Sequence, residues 1–484
     1  MEMSSFIVNS SSLGAPVCNE KCLKENEQEF CNALEKDLHR PKLEAVLAEI
    51  IITSNEIVYA LENIDSWAKD ETCSTNILNK FTKTCIRKEP YGVCLIMSAW
   101  NYPLVLLLAP LVAAIAAGNC AVIKPSECAK NCAAALQSIL PKYLDNDCYP
   151  VMVLNAEQSA KLTKYHRFDF IFFTGGTSVG RYVMKAAAEH LTPVVLELGG
   201  KNPCYVDSTC NLRVAARRIV WGRYYNAGQI CLAPDYIMIN ESIREKFLVE
   251  VKAALKEFYG ENPKASSDYG RIINKRQFGR LKQLLKSGSG KIVIGGEMDE
   301  KENYIAPTVV VDVDVKSPFM QEEMFGPIML ILTIPSLEEA IAIINAKEKP
   351  LALYMFSKDK PAINRMLNST VSGGVTVNDV FAHYIPHNLP FGGVGNSGMG
   401  SYHGKFGFDA FTHKRSCVVD GTPDALFSSR YPPYTDTKLS IIRLAFQKSL
   451  KSGGPFKKIS SFLWLTVLGV VLAYLFRYLE LYYR

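Results

Sequence analysis

The sequence predicts an α/β protein with parallel β-sheets in two domains, and three observations support this. The chain has 484 residues, of which 48% are hydrophobic and 21% charged, enough to bury a large core and to form two or three domains. From Arg87 onward, short apolar runs alternate with stretches of helical periodicity. Gly, Pro, Asn or Asp bounds each run, and such alternation is typical of βαβ units.

The first ordered segments are predicted to be helical. Roughly the first two dozen residues are Ser- and Asn-rich without a clear period, which indicates a loose end before a helix over residues 24–39. Pro41 suits the first position of a second helix, which we predict to continue to about Lys69. Its predicted apolar face consists of Leu43, Val46, Leu47, Ile50 and Ile57.

Residues 104–117 are almost wholly apolar and predict a buried helix. The run contains Pro110, ends at Gly118 and is too short to span a bilayer. Three strand and helix units then predict a dinucleotide-binding sheet. Their expected bounds are a strand to Lys124, a helix after Ser126, a strand at 168–174, a helix at 178–190 and a strand at 193–198.

A second series of units predicts a second α/β domain. It runs to about Asn378 as further strand and helix pairs. Its first elements are a strand at 203–207, a helix to about Ala227, a strand at 236–240 and a helix to Tyr259.

The net charge of +6 lies at the C-terminal end of the chain. Residues 439–484 hold seven Lys or Arg and one Glu, so residues 1–438 are neutral overall. A neutral body argues against a nucleic-acid partner.

The fourteen cysteines are scattered over the chain. We recognise no secretory leader, so the thiols are predicted to be reduced and mostly buried. The tight pairs Cys18/Cys22 and Cys128/Cys132 have no further ligands at a zinc-finger spacing, and no metal is predicted.

The loop Gly175-Gly176-Thr177-Ser178-Val179-Gly180 separates an apolar strand from an amphipathic helix. Backbone amides at a helix N-terminus attract phosphate because they are unpaired and carry the positive end of the helix dipole. The spacing is not GxGxxG and the loop lacks a P-loop Lys. An ordinary strand-to-helix turn is therefore the alternative.

Three further residues carry groups that suit covalent carbonyl chemistry. Cys231 follows a predicted helix, after a Gly that permits a tight backbone, although any of the fourteen cysteines could hold such a role. Glu197 ends a predicted strand, where α/β sheets place their sites, and the alternative is a solvated or paired carboxylate. Asn101 lies between two apolar stretches and offers an uncharged amide donor, or simply caps a turn or helix.

Residues 24–430 resemble the aldehyde dehydrogenase superfamily. The motifs that carry the resemblance are Trp100-Asn101-Tyr102-Pro103, Lys124-Pro125-Ser126-Glu127, Glu197-Leu198-Gly199-Gly200-Lys201, Gly228-Gln229-Ile230-Cys231, Glu323-Met324-Phe325-Gly326-Pro327 and Pro390-Phe391-Gly392-Gly393. Further segments are similar to the class 3 branch, which includes fatty aldehyde dehydrogenase. These are Arg271-Ile272-Ile273-Asn274, Gln321-Glu322-Glu323, Lys349-Pro350-Leu351-Ala352-Leu353-Tyr354 and Gly398-Met399-Gly400-Ser401-Tyr402-His403-Gly404-Lys405.

The resemblance implies a role for each candidate residue. Cys231 is expected to be the nucleophile, Asn101 with the Cys231 amide the oxyanion hole, and Glu197 the base that activates water against the thioester. NAD is the expected cofactor, and NADP is possible. The loop 175–180 would hold its pyrophosphate, Lys124 and Glu127 its adenosine ribose, and Glu323 with Phe325 its nicotinamide ribose.

The resemblance also implies a Rossmann-like NAD-binding domain, an α/β catalytic domain, an oligomerisation arm and a homodimer. We predict residues 1–75 and 96–200 for the first, 201–400 for the second, and 76–95 with 401–425 for the arm. Three features depart from the family pattern. The N-terminus lacks an Arg- and Pro-containing stretch and a first helix, Gly176 replaces a residue able to bond phosphate, and Val377 replaces a Gly expected at positive φ.

Residues 459–476 hold no charge over 18 positions and predict a C-terminal transmembrane helix, placed at 459–477 after a linker at 426–458. At ~1.5 Å per residue the run spans roughly 27 Å, close to the thickness of an endoplasmic reticulum bilayer. Lysines before it favour a cytosolic body held on membrane lipid, in the endoplasmic reticulum. A buried core helix is the alternative.

Our main functional hypothesis is oxidation of medium- or long-chain aliphatic aldehydes to fatty acids. A membrane-anchored scaffold that kept the fold but lost turnover is the second hypothesis, motivated by the altered N-terminus, Gly176 and Val377. The third is an enzyme for small or aromatic aldehydes, in which the C-terminus only sets location.

Overall fold

The computed structural model describes residues 14–73, 82–421 and 424–447. Its helices are α1 (Gly14–Glu25), α2 (Glu27–Leu38), α3 (Lys42–Ala45), α4 (Ile52–Ala68), α5 (Val105–Ala116), α6 (Lys130–Ile139), α7 (Ala156–Tyr165), α8 (Thr177–Ala188), α9 (Leu212–Tyr224), α10 (Glu241–Tyr259), α11 (Lys275–Ser287), α12 (Leu337–Asn345), α13 (Lys360–Ser369), α14 (Gly404–Ala410) and α15 (Asp436–Phe446). A π-helical turn, Val46–Ile51, joins α3 to α4.

The strands are mostly short. They are β1 (Glu71–Thr72), β2 (Thr82–Pro90), β3 (Val93–Met97), β4 (Cys120–Lys124), β5 (Phe170–Gly175), β6 (Val194–Leu198), β7 (Pro203–Val206), β8 (Tyr236–Ile239), β9 (Lys291–Ile294), β10 (Met298–Asp299), β11 (Tyr304–Ile305), β12 (Thr308–Val311), β13 (Ile328–Thr333), β14 (Ala352–Phe356), β15 (Gly374–Val377), β16 (Gly398–Met399) and β17 (Thr412–Asp420).

A five-stranded sheet has the order β16-β6-β5-β3-β4. The four strands β6, β5, β3 and β4 are parallel, and β16 is antiparallel to β6. Met97 pairs with both Lys124 and Phe173, and Thr174 pairs with Glu197. This register brings Lys124, Thr174 and Glu197 to the carboxyl edge of one sheet, where open α/β sheets bind their ligands.

A seven-stranded sheet has the order β15-β14-β7-β8-β13-β12-β9. Its first six strands are parallel, and β9 closes one edge antiparallel to β12. Strands β7, β8, β12 and β14 are wholly buried, which explains why they read as continuous apolar runs rather than alternating ones.

The described residues fall into two compact units. The first unit contains the described residues of Met1–Glu71 and Ile86–Ser416. The second contains the described residues of Thr72–Cys85 and Cys417–Arg484. Strands β1, β2 and β17 form a three-stranded sheet. The predicted division into cofactor, catalytic and arm domains stays a prediction.

The predicted buried helix at 104–117 is α5, in which every residue is buried. The start of the chain corrects a prediction, because α1 already begins at Gly14 where a loose end was expected. The reason lies in tertiary packing, since Cys22 and Leu23 of α1 are buried against apolar residues of α4 and α5. Local composition does not encode such contacts.

The predicted apolar face of the second helix is partly wrong. Leu43 is 74% and Leu47 is 43% exposed, whereas Glu49 and Glu56 are buried. The buried acids have specific partners: Glu49 pairs with Arg40, and Glu56 accepts from the Gly404 amide at 2.6 Å. Partnered charges therefore face inward here, against the hydrophobic pattern.

Val377 does not carry the strain expected of it. It lies in β15, paired with Met355, and the positive φ of 63° belongs to the next residue, Asn378. The Asn378 amide bonds to both the N–H and the carbonyl of Ser357, at 2.9 and 2.8 Å, and these bonds support the left-handed backbone. A β-branched residue at position 377 is thus compatible with the fold.

The predicted membrane anchor at 459–477 lies outside the described residues, as does the end of the predicted linker. Within the described ranges, no helix combines the length and the hydropathy needed to cross a bilayer.

Candidate active site

A cavity of about 1070 Å³ opens at the carboxyl edge of the five-stranded sheet. It brings together twelve of the thirteen predicted site residues: Asn101, Lys124, Glu127, Gly175, Gly176, Thr177, Ser178, Val179, Glu197, Cys231, Glu323 and Phe325. Gly180 is the exception. Residues from six separate segments therefore share one cavity, as a joint site for cofactor and substrate requires.

Cys231 follows an unusual backbone turn after α9. Asn226, Ala227 and Gly228 all take positive φ, at 50°, 51° and 73°. A Cβ on Gly228 would lie 2.3 Å from the Gly326 carbonyl oxygen, so only glycine fits there. The Asn202 amide donates to the Cys231 carbonyl at 2.6 Å and fixes the backbone that carries the thiol.

The Cys231 sulfur lies in an environment that favours the neutral thiol. Burial is the largest cause that raises its pKa, followed by the carboxyls of Glu323 and Glu197. The backbone amides of Cys231 and Leu232 act in the opposite direction. Because the thiolate is the reactive form, this site needs a proton acceptor before the sulfur can attack.

Asn101 is buried next to this turn, and its side chain is held in place. The Asn101 Nδ2 donates to the Gln229 carbonyl at 3.1 Å. Gln229 is itself fixed, since its Nε2 donates to Asn226 O at 3.0 Å and its Oε1 accepts from the Ile273 amide at 3.0 Å. The amide is therefore preorganised beside the Cys231 backbone.

A buried arginine, which the sequence did not single out, supports this arrangement. The Arg40 guanidinium donates to the Asn101 carbonyl, to Asn226 Oδ1 at 3.2 Å and to Glu49 Oε1 at 2.5 Å, and lies 4.5 Å from the Tyr102 ring centre. The second Glu49 oxygen accepts the amides of Leu104 and Val105, where α5 begins, at 3.0 and 2.8 Å. In the sequence, the only sign of this role is that Arg40 directly precedes Pro41, the residue at which a helix was predicted to start.

We predict that Arg40→Met destabilises the protein by about 3–5 kcal/mol, because it leaves the buried Glu49 carboxylate without its counter-charge. Urea unfolding measures the loss. The double variant Arg40→Met with Glu49→Met should recover part of it. Arg217→Met, which removes the exposed pair with Glu257, is the control and should leave the midpoint unchanged. A midpoint for Arg40→Met equal to that of the control would contradict the prediction.

Glu197 ends β6 with its carboxyl buried, only 3% of the residue being exposed. Neither carboxyl oxygen has a hydrogen-bond partner among the described residues, and the neighbouring Thr174 hydroxyl has none either. Burial raises the pKa of Glu197 well above its usual range. A buried carboxyl with unused oxygens and a raised pKa is suited to general acid–base work.

The loop 175–180 forms the N-terminus of α8. The Val179 and Gly180 amides both bond to the Gly176 carbonyl at 3.0 Å, so the Thr177 and Ser178 amides are those left for a ligand. A Cβ on Gly176 would meet nothing within 4 Å, whereas one on Gly180 would lie 2.5 Å from a Leu198 methyl. Gly180 thus serves close packing of helix on sheet, and the open space at Gly176 suits a phosphate.

Lys124 and Glu127 form an ion pair at 2.6 Å on the cavity wall. Burial is the largest single effect on the pKa of Glu127 and raises it, but Lys124, a backbone amide and Arg276 together lower it below its usual value. Lysine and carboxylate at one point of the wall offer both a donor and an acceptor, which suits a ribose with its hydroxyls.

Glu323 lies with one oxygen buried and without a partner among the described residues. Burial and then Asp235 raise its pKa to about 8. Gly199 makes room for this carboxyl, since a Cβ there would lie 2.0 Å from Glu323 Oε2. The next aromatic along the chain, Phe325, meets Trp100 edge to face at 5.2 Å.

Three side chains hold the backbone of residues 322–324, and the sequence did not predict this. The Lys201 amine donates to the Glu322 carbonyl at 3.1 Å and forms an ion pair with Asp235 at 2.5 Å. Asp235 accepts the Met324 amide at 2.8 Å. Arg280 donates to the carbonyls of Glu323 and Met324, at 3.2 and 2.6 Å. The Glu323 carboxyl is thereby presented on a fixed backbone.

The cavity as a whole fits a dinucleotide. It offers buried carboxyl oxygens without partners among the described residues, the free amides at the start of α8, and the Lys124 and Glu127 side chains.

Comparison with known proteins agrees with this geometry. Residues 19–417 match the aldehyde dehydrogenase family. The chain is 50% identical over 427 residues to rat (Rattus norvegicus) aldehyde dehydrogenase family 3 member B1, covering 88% of this chain and 91% of the relative. It is 48% identical over 434 residues to mouse (Mus musculus) aldehyde dehydrogenase family 3 member A2, covering 90% and 89%.

Solved structures show the same fold. The substrate-bound state of Staphylococcus aureus AldH superposes with a TM-score of 0.88 at 42% identity, covering 92% of this chain and 96% of that one. An indole-3-acetaldehyde dehydrogenase in complex with NAD+ gives a TM-score of 0.78 at 25% identity, covering 86% and 85%. The chain therefore belongs to the aldehyde dehydrogenase family, in its family 3 branch, and is an NAD(P)-dependent aldehyde dehydrogenase.

Proposed function

We propose that this enzyme oxidises medium- or long-chain aliphatic aldehydes to carboxylic acids through a covalent intermediate on Cys231. The observation that carries the proposal is the shared cavity, whose wall holds Cys231, Glu197 and Asn101 together with the cofactor residues. A carbonyl carbon is a poor hydride donor until a nucleophile adds to it, and a thiolate supplies that nucleophile.

In the proposed first half-reaction the Cys231 thiol loses its proton to solvent, the sulfur adds to the carbonyl carbon, and the carbonyl oxygen becomes an alkoxide. The Asn101 amide and the Cys231 backbone N–H donate to that oxygen, where negative charge develops. Collapse of the alkoxide restores the carbonyl, expels hydride and leaves a thioester on sulfur. Bound NAD supplies the ring carbon that accepts the hydride.

In the proposed second half-reaction Glu197 accepts a proton from a water molecule that attacks the thioester carbon. The carbon–sulfur bond breaks, the carboxylic acid leaves and the thiol is restored. The unused oxygens of Glu197 support this role, because in the described residues they bond to nothing else. Aldehyde, NAD and water thus give acid, NADH and a proton.

The predicted cofactor residues are proposed to bind and orient separate parts of the dinucleotide. Thr177 and Ser178 amides would bind the pyrophosphate, Lys124 and Glu127 the adenosine ribose, and Glu323 the nicotinamide ribose, with Phe325 against it. Because Gly180 is not on the cavity wall, we assign it no contact with the cofactor.

Two observations support a long aliphatic substrate. Trp100, Leu106 and Phe391 contribute apolar surface to the cavity that holds Cys231. The uncharged run at 459–476 would keep the enzyme on a membrane, where long aldehydes partition. The resemblance to fatty aldehyde dehydrogenase points the same way. We further propose anchoring on endoplasmic reticulum lipid with a cytosolic body, and a homodimer.

The test is a titration of kcat/KM against aldehyde length, from propanal to hexadecanal, with NAD and with NADP, using the full chain in detergent micelles. Each buried methylene is worth ~0.8 kcal/mol, so kcat/KM should rise about fourfold per added carbon until the cavity is filled. Benzaldehyde is the matched aromatic substrate. A higher kcat/KM for propanal or benzaldehyde than for hexadecanal would refute the proposed substrate class.

A further inference from the structure

Two cysteines outside the active site lie side by side at the edge of the five-stranded sheet. Val151 is bridged in parallel to Ile123 of the edge strand β4, and Cys148 lies in the turn just before this bridge. The Ile123 amide bonds to Pro150 O at 2.9 Å, and the Ala121 amide bonds to Cys148 O at 3.0 Å. The second bond places Cys148 beside Ala121, the residue that directly follows Cys120.

Backbone segments that are hydrogen-bonded side by side have the spacing that a disulfide requires. Neighbouring strands lie ~4.8 Å apart, and disulfide-linked residues need Cα atoms about 4.4–6.8 Å apart. The Cys148 thiol also forms a hydrogen bond with the Cys120 thiol, so the two sulfurs lie next to each other. Both residues are half-buried and carry free thiols, which leaves them reachable by a small solute.

The electrostatics agree that the sulfurs are close. Burial and then a hydrogen bond with the Cys120 thiol raise the pKa of Cys148 to about 11, with Asp145 contributing further. A thiol with a raised pKa is a slow first nucleophile, so Cys148 suits the second step of an oxidation.

We propose that Cys120 and Cys148 form a redox-active pair that a hydroperoxide converts to a disulfide. The Cys120 thiolate attacks a peroxide oxygen and becomes a sulfenic acid, with release of water or an alcohol. The Cys148 sulfur then attacks the Cys120 sulfur, and water leaves. Two thiols lose two electrons, and the peroxide gains them.

The proposed disulfide would tie together two segments that both continue to the cofactor. Strand β4 ends at Lys124 on the cavity wall, and the chain beyond Met152 enters α7, whose Ala156 and Ser159 line the same cavity. Cys120 is four residues before Lys124, about 13 Å along the strand at ~3.3 Å per residue. The pair is therefore distinct from the Cys231 site.

The experiment treats the reduced full-length enzyme with hydrogen peroxide, blocks remaining thiols with iodoacetamide and maps peptides without reduction. We expect one linked peptide joining Cys120 to Cys148, two hydrogens lighter than the reduced pair and reversed by dithiothreitol. Cys120→Ser and Cys148→Ser should abolish it. Cys94→Ser is the matched control, because Cys94 pairs with Ala121 on the neighbouring strand and should leave the link intact.

Phenylarsine oxide, which bridges two nearby thiols, gives a second readout that does not depend on peroxide. The wild type and Cys94→Ser should bind it at the pair, and both single serine variants should not. Separate alkylation of Cys120 and Cys148 after peroxide has oxidised Cys231 would overturn the proposal, as would a link from Cys120 to any other cysteine. Failure of the arsenical to bridge the wild-type pair would also overturn it.

Discussion

Replacing Cys231 by alanine is expected to lower kcat for aldehyde oxidation by at least about a thousandfold, the largest effect of any single change in this enzyme. Without the sulfur, no tetrahedral alkoxide forms and hydride cannot leave the carbonyl carbon. NADH formation from hexadecanal measures the loss. The substitution removes only one sulfur atom and should leave the fold intact. The midpoint of urea unfolding checks this.

A matched control separates loss of the nucleophile from loss of any cavity thiol. Cys128 also lines the cavity, and burial raises the pKa of its thiol too. Cys128→Ala should therefore change kcat less than about threefold, within the range of an ordinary substitution. NAD binding, followed through the quenching of tryptophan fluorescence, should be unchanged in Cys231→Ala. Retained turnover in Cys231→Ala, or its loss in Cys128→Ala, would contradict the proposed mechanism.

The sheets were predictable from the sequence because most of their strands are short and apolar, and several of them are wholly buried. The expected strand at 193–198 is β6, Val194–Leu198, and the apolar run at 104–117 is α5. Composition alone decides such elements, since a parallel strand covered on both faces has no polar side to show. The carboxyl-edge position of Glu197 followed from this, because the residue ends its strand.

The N-terminal helices were harder to predict, because buried charge overrides the hydrophobic pattern there. Leu43 and Leu47 were expected inside and lie outside, while Glu49 lies inside. Its inward position depends on Arg40, nine residues earlier, and on the amides of Leu104 and Val105, more than fifty residues later. No window of local sequence contains the bonds to those two amides.

The site residues were found largely through the family motifs, and the structure adds what motifs do not encode. Spacing could not separate Gly176, which faces open space, from Gly180, which packs on Leu198. Nor could it show that Val377 takes extended backbone while Asn378 carries the positive φ. Such distinctions depend on what lies opposite each residue in the folded chain.

Glu197→Gln is expected to stop the reaction halfway. Acylation needs sulfur and the oxyanion donors, so one equivalent of NADH per enzyme should still form in a rapid first phase. Thioester hydrolysis needs the base, so steady-state kcat should fall about a hundred- to a thousandfold. Stopped-flow NADH absorbance resolves the two phases. Complete loss of the first phase would instead show that Glu197 also activates the thiol.

The pH dependence of kcat and of stability should differ between the wild type and Glu197→Gln, each in a known direction. A protonated carboxyl accepts no proton, so the wild-type kcat should rise with pH through the raised pKa of Glu197, and the Gln variant should lose that rise. Stability should respond in the opposite sense. Since the folded pKa lies above the unfolded value of about 4.3, the wild type loses stability as pH rises between them, whereas Gln does not titrate. The stability of Glu197→Gln relative to the wild type should therefore increase with pH. A difference that is independent of pH would mean that the carboxyl is not buried as it is here.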